Sequence, residues 1–127
     1  MFAQQALPLL LAAAADKPAG YAPTLIFTGA TSSVKAYAGS AAFAPPKWAA
    51  RALSQSLARE FAPQGVHVAH AVIDGVIDIP RTKEWLTEVP EAKISPEAIA
   101  ESYWWLHTQP RTAFTWEIDI RPGVEKW

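Results

Sequence analysis

The sequence predicts an α/β fold, with a parallel sheet of about three strands and flanking helices. Three observations carry this. Helical and strand-like segments alternate along the chain, which argues for parallel strands covered by crossover helices. Two strand segments, TLIFT and VHVAHAVI, are largely apolar runs of the kind buried on both faces. The third, FTWEIDIR, alternates greasy and polar residues, as a strand with one covered face does.

Each element has its own signals. Residues 2–15 are rich in Ala and Leu and read as a helix, with Pro8 predicting a kink or a start at Leu7. Residues 17–20, KPAG, break it, and Ala22 and Pro23 continue the loop. Thr24 to Thr28 form the first strand, closed by the small residues Gly29, Ala30, Thr31, Ser32 and Ser33. The second helix is expected to begin near Pro45 or Pro46. Ala49, Leu53, Leu57 and Phe61 form its apolar stripe, with Arg51, Gln55 and Arg59 lying away from it. Pro63, Gln64 and Gly65 end that helix. Val66 to Ile73 form the second strand, stopped by Asp74 and Gly75. Residues 77–94 read as loop, punctuated by Pro80 and Pro90. Ser95 as N-cap, Pro96 at the first position and Glu97 in the first turn start the third helix, whose stripe is Ile99, Tyr103 and Leu106. After a loop over residues 108–112, Phe114, Trp116, Ile118 and Ile120 alternate with Thr115, Glu117, Asp119 and Arg121.

Composition narrows the function classes. A length of 127 residues fits one domain, and 50% hydrophobic residues are enough for a packed core. Lys and Arg number 11 against 12 Asp and Glu, which is no footprint for nucleic acid or an anionic membrane. The absence of cysteine excludes disulfides, thiolate catalysis and cysteine-bound metal, and fits the cytoplasm. The opening MFAQQALPLLLAAAAD has the look of a secretory signal. A signal peptide starts with positive charge, however, and the first basic residue here is Lys17. The apolar run is too short to span a bilayer, so a buried amphipathic helix is expected, with Gln4 and Gln5 on its wetter side. No strand precedes this helix, and the first strand would have a bare apolar edge. The expectation is a single, incomplete unit over residues 1–127, covered by a missing N-terminal half or a partner chain.

Four stretches carry a resemblance: TLIFTGAT, FAPPKWAARALSQSLAREFAPQGVHVAHAVIDG, SPEAIAESYWWLH and TWEIDI. Together they resemble the C-terminal half of a short-chain dehydrogenase/reductase, over nearly the whole chain. The resemblance implies a partial doubly wound (Rossmann-like) sheet with a dinucleotide across the carboxyl ends of its strands. It implies NAD or NADP as cofactor and no metal, a small carbonyl or alcohol as substrate, and assembly as a homo-oligomer. The family's glycine-rich phosphate turn is not found, so the nicotinamide half of the site is what the resemblance places here.

Residue by residue, Lys47 matches the lysine that holds the nicotinamide ribose and lowers the pKa of the catalytic tyrosine. That tyrosine's place, four residues earlier, is Phe43. The catalytic serine's place falls on Ala30 when counted without a gap, and a short slip puts Ser32 there. Asp74 and Gly75 match the family's Pro-Gly turn. Ile77 matches the residue whose backbone binds the carboxamide, and Ile79 replaces a threonine that bonds there. Lys47 and Ser32 are thus the catalytic candidates. Lys47, Phe43, Gly75, Ile77 and Ile79 are the cofactor contacts.

Hydride transfer to a carbonyl needs a proton donor as the alkoxide forms, and phenylalanine has none. The general-acid contribution, on the order of 10²- to 10⁴-fold, is then lost. The expectation is an oxidoreductase that is weak or inactive; the alternatives are a non-enzymatic oligomerising protein and a truncated gene product. Pro45 and Pro46 weigh against Phe43 and Lys47 sharing a helix face. Trp85 and Leu86 fall in the family's mobile substrate flap. Tyr37 has the wrong spacing to replace the tyrosine. His67 and His70 are expected on opposite strand faces, unsuited to a two-histidine metal site, and His107 stands alone. Trp104, Trp105 and Trp116 read as core or oligomer contacts.

Overall fold

The computed structural model of the chain describes residues 1–16 and 20–125. In chain order it contains α1 (Phe2–Ala15), β1 (Thr24–Thr28), α2 (Ala44–Phe61), β2 (His67–Ile73), β3 (Val76–Ile77), β4 (Lys93–Ile94), α3 (Pro96–His107) and β5 (Glu117–Ile120). Short 3₁₀ turns lie at Thr31–Ser33, Ala62–Gln64 and Pro80–Thr82. The break expected at residues 17–19 lies outside the described residues.

All seven residues of β2 are buried. This follows from its place between β1 and β5 in a parallel sheet, paired on both edges. Thr24 stands opposite His67 and Thr28 opposite Ala71, while His70 stands opposite Glu117 and Ile73 opposite Ile120. Side chains alternate along a strand, so this register sorts the sheet into two faces. Leu25 and Val68 pack with Ala14 of α1 and with Leu57 and Phe61 of α2. Ile26, Ala71, Ile73, Ile118 and Ile120 pack with Ile99 and Tyr103 of α3. Helices therefore cover both faces, the doubly wound arrangement that alternation of elements predicts.

α1 runs unbroken through Pro8 instead of starting at Leu7. Leu7 and Ala14 lie on one row of the helix and are both buried, so packing outweighs the hydrogen bond lost at the proline. α2 begins at Ala44, with Pro45 and Pro46 in the first turn, where a missing N–H costs nothing. Its buried side differs from the expected stripe. Ala44 and Ser54 are buried, whereas Ala49 is exposed and Leu53 is 48% exposed. Leu57 and Phe61 do reach the core, and Arg51 turns inward to Glu117. A polar contact with β5, invisible in the periodicity, sets the helix rotation.

The stretch read as loop contains β3 and β4, which pair in parallel with two residues each, too few to show a period. β5 is shorter than the alternation suggests. Gln109 takes the Thr115 N–H on its Oε1 at 2.7 Å and donates to the Thr115 hydroxyl at 2.8 Å, which draws this segment away from a regular strand. Trp116 consequently faces α2 and not the Ile118–Ile120 side. Its ring stacks on His70 with centroids 6.2 Å apart, and the Arg51 guanidinium lies 5.9 Å from it. Trp104 and Trp105 are exposed, which removes the core reading for both. His107 does not stand alone: it meets the Thr24 hydroxyl at 2.9 Å and packs against Tyr21 and Trp104. Among the described residues, no helix is long and apolar enough to cross a membrane.

Candidate functional site

In an open α/β sheet, ligands bind beyond the carboxyl ends of the strands. Lys47, in the first turns of α2, reaches that edge. Its ammonium donates to the Thr28 carbonyl at 3.4 Å, at the end of β1. It also stands 5.7 Å from the centre of the Phe43 ring. Phe43 already has helical dihedral angles, φ −99° and ψ −41°. The proline pair therefore does not part the two residues, contrary to what the preference of residues before proline suggests. The Phe43 ring is half-exposed.

Ser32 lies in the 3₁₀ turn that follows β1 and is buried, as is Ser33. Ser33 Oγ accepts the Ala30 N–H at 3.1 Å, closing the turn. The turn after β2 is tied to this one, because the Thr31 hydroxyl donates to Asp74. Asp74 also receives Arg121 at 3.0 Å, and Arg121 pairs with Asp119 at 2.6 Å. One aspartate, standing where the resemblance places a proline, thus binds the carboxyl ends of all three strands. Beside it opens a cavity of about 310 Å³, lined by Thr31, Lys35, Asp74, Asp119, Arg121 and Glu125. A second cavity, of about 240 Å³ near Arg59, Ala62 and His67, opens at the opposite, amino end of the sheet.

Gly75 has φ +154°, and a Cβ there would stand 2.8 Å from Pro122 Cδ, so the turn needs glycine. Just past the β3–β4 pair, the Asp78 N–H donates to the Ile94 carbonyl at 2.9 Å. Ile79 gives its N–H to the Thr82 hydroxyl at 3.1 Å, and the same hydroxyl donates to the Ile77 carbonyl. Thr82, three residues beyond the expected threonine position, staples this segment. Trp85 and Leu86 are half-exposed, and Leu86 has φ +53°, a conformation that branched apolar residues rarely adopt.

Two groupings escape a linear reading. Tyr103 of α3 meets the Thr28 hydroxyl at 2.8 Å, so a phenol reaches the β1 end from a distant helix. Under α2, Glu117 holds Arg51 through two bonds of 2.6 and 2.8 Å and His70 Nδ1 at 2.9 Å. The Arg51 bond keeps the Glu117 carboxyl below the usual carboxylate range. Burial lowers His70 and His67 below the usual histidine value, against the pull of their hydrogen bonds. The two histidines do occupy opposite faces: His67 stacks flat on Phe114, with ring centres 4.2 Å apart, while His70 faces α2. Nothing in the linear pattern pointed to the second grouping, whose members are brought together by the β2–β5 register.

No family model matches the sequence, and no curated protein does. Solved structures do. The chain is 41% identical over 78% of its length to a short-chain dehydrogenase from Rhodopseudomonas palustris, with a TM-score of 0.60, and spans 38% of that protein. It is 27% identical over 89% of its length to a short chain dehydrogenase from Salmonella enterica serovar Typhi, with a TM-score of 0.66, and spans 44% of it. RhlG of Pseudomonas aeruginosa, solved as an NADP active-site complex, shares the fold at 24% identity and a TM-score of 0.72. That match covers 95% of this chain and 51% of RhlG. The chain thus has the fold of a partial short-chain dehydrogenase/reductase, about half the length of such proteins or less.

Proposed function

We propose that the chain forms the nicotinamide-facing half of an NAD- or NADP-linked oxidoreductase of the short-chain type, acting on small carbonyl or alcohol compounds. The observation that carries this reading is the seating of Lys47 on the Thr28 carbonyl at the carboxyl end of β1, beside Phe43. An ammonium has three donors, and one carbonyl leaves two for ribose hydroxyls, so the residue present fits the group. A bound nicotinamide would supply or accept the hydride. Lys47 would hold its ribose, Phe43 would border the ring, and Gly75, Ile77 and Ile79 would offer backbone beyond β2. Ser32 and Thr31 place hydroxyls in the turn beneath. Phe43 moves no proton, so turnover by this site is weak.

The test is binding of nicotinamide mononucleotide to the full chain by titration calorimetry. Lys47→Ala is expected to weaken it about tenfold, the value of a hydrogen bond to a charged group. Unchanged affinity would remove Lys47 from the site.

A second reading, a non-enzymatic protein that pairs with another copy of itself, is favoured by one observation. The outer face of α2 exposes Trp48 at 44% and Leu53 at 48%, and α3 exposes Trp104 and Trp105. Sedimentation at micromolar concentration is expected to show a dimer or larger species. A strictly monomeric boundary would count against self-association.

A further inference from the structure

The cavity at the amino end of the sheet plays no part in the nicotinamide reading. Its volume is about 240 Å³, and a second hollow of about 240 Å³ shares Gln55 and Trp116 with it. One wall is the segment that leaves the regular strand before β5. Thr115 is held there by three hydrogen bonds. Its N–H donates to Gln109 Oε1 at 2.7 Å, its hydroxyl accepts from Gln109 Nε2 at 2.8 Å, and its carbonyl accepts from His67 Nε2 at 2.8 Å. The rings on either side of Thr115 are backed as well. Phe114 lies flat on the buried His67 ring, with centres 4.2 Å apart, and Trp116 stacks on the buried His70 ring at 6.2 Å. On the helix side, Ala58 and Ala62 are too small to fill the space. Arg59 stands at the rim. It is exposed, and no ion pair or hydrogen bond holds its guanidinium among the described residues. No carboxylate lines the cavity among those residues, and Gln55 adds an amide donor.

We propose that this cavity binds a small aromatic carboxylate, with its ring against Phe114 and Trp116 and its acid group on Arg59. An apolar cavity of about 150 Å³ accepts benzene. The larger volume here has room for one ring and its carboxylate. A guanidinium is a planar fork that meets a carboxylate with two parallel hydrogen bonds. Phosphate would fit the same fork, but it has no apolar body to set against the aromatic walls. Those walls are fixed before anything binds, so little ordering is lost on binding. Charge decides between the occupants: an unanswered arginine beside an apolar slot favours an anion over the apolar face of a second copy. The site lies at the other end of the sheet from Lys47, so its occupancy neither needs nor blocks a nicotinamide.

The test is titration calorimetry of the full chain with benzoate, benzamide and cyclohexanecarboxylate, joined to NMR of the tryptophan indole N–H groups. Benzoate is expected to bind about tenfold tighter than benzamide, the value of a charge-assisted hydrogen bond. It is expected to bind about threefold tighter than cyclohexanecarboxylate, the value of an aromatic contact. Benzoate should also shift one indole resonance, the one that Trp116→Phe removes. Arg59→Gln, a change at the surface, should bring benzoate and benzamide to equal affinity. Ala62→Leu should fill the cavity and weaken both about tenfold. Nicotinamide mononucleotide should not compete. Equal affinity for benzoate and benzamide in the unaltered chain, or a preference that survives Arg59→Gln, would overturn the proposal. Equal affinity for cyclohexanecarboxylate would overturn the aromatic class of the ligand. An affinity for benzoate that falls as the chain is concentrated would make a second copy the occupant and overturn the site, as would absence of binding at about 10 mM.

Discussion

Glu117→Ala is expected to lower the stability of the chain by about 3 kcal/mol, read as a fall in denaturation midpoint at constant slope. Glu117 makes three hydrogen bonds, two of them to a guanidinium. Its side chain is 20% exposed and that of Arg51 is 32% exposed, so water screens the ion pair and Arg51 can swing outward once freed. His70 has no such exit, and its Nδ1–H would be stranded inside. Much of the loss therefore comes from the histidine rather than from the ion pair. Glu117→Gln keeps the shape but not the charge and is expected to lose about half as much. Acid gives the same variant a second signature. Burial lowers the folded-state pKa of His70 and His67 below the ordinary 6.5, so unfolding takes up protons. Their contribution is complete above 6.5 and is lost as pH falls from there through the folded values. Removing Glu117 removes the bond and charge that oppose burial at His70, so the loss extends to lower pH. Glu117's own contribution, present above the ordinary 4.5 and lost as pH falls through its lowered value, disappears. An acid limb identical in the two proteins would refute this account.

The fold was legible because its determinants are local. Thr24 to Thr28, the N-cap at Ser95 and the proline start of α2 each follow from a few adjacent residues, and β1 and β2 fall where the apolar runs place them. The rotation of α2 was not legible. Arg51 looks like a solvent-facing residue until Glu117, far along the chain, is placed beside it by the β2–β5 register. The same holds for Asp74. In sequence it is a departure from a Pro-Gly turn. In space it binds Thr31 and Arg121 and takes over the fastening of the strand ends. For Lys47 and Phe43 the local rule about prolines pointed the wrong way, because both prolines fit inside the first turn without unwinding it. Apolar runs report the burial of β1 and β2, whereas periodicity misplaced half of the α2 stripe, with Ala49 and Leu53 exposed. Periodicity is blind to polar pairs formed between distant elements, and here those pairs surround the candidate site.

Gly29→Val is expected to cost about 4 kcal/mol and Gly29→Ala about 2 kcal/mol, by overpacking at a point that has no slack. The Gly29 N–H donates to the Ala71 carbonyl at 2.7 Å, which extends the β1–β2 ladder and pins the backbone. A Cβ there would stand 2.4 Å from His70 Nε2 and 2.6 Å from both His70 Cε1 and Ser33 Oγ. The imidazole cannot retreat, because Glu117 holds Nδ1 and Trp116 stacks on its face. Ser33 is held by the Ala30 N–H. Stiffening of the unfolded chain returns only about 0.4–1 kcal/mol, too little to offset the clash. The cause is separable from any general intolerance of the strand end. In a His70→Ala background the ring is gone, and Gly29→Ala is expected to cost roughly half as much, with Ser33 supplying what remains. Equal cost in both backgrounds, measured by denaturant titration, would mean that the glycine is required for some reason other than crowding against the His70 ring. Glycine at position 29 is thus what leaves room for both the imidazole and the Ser33 hydroxyl at the end of β1.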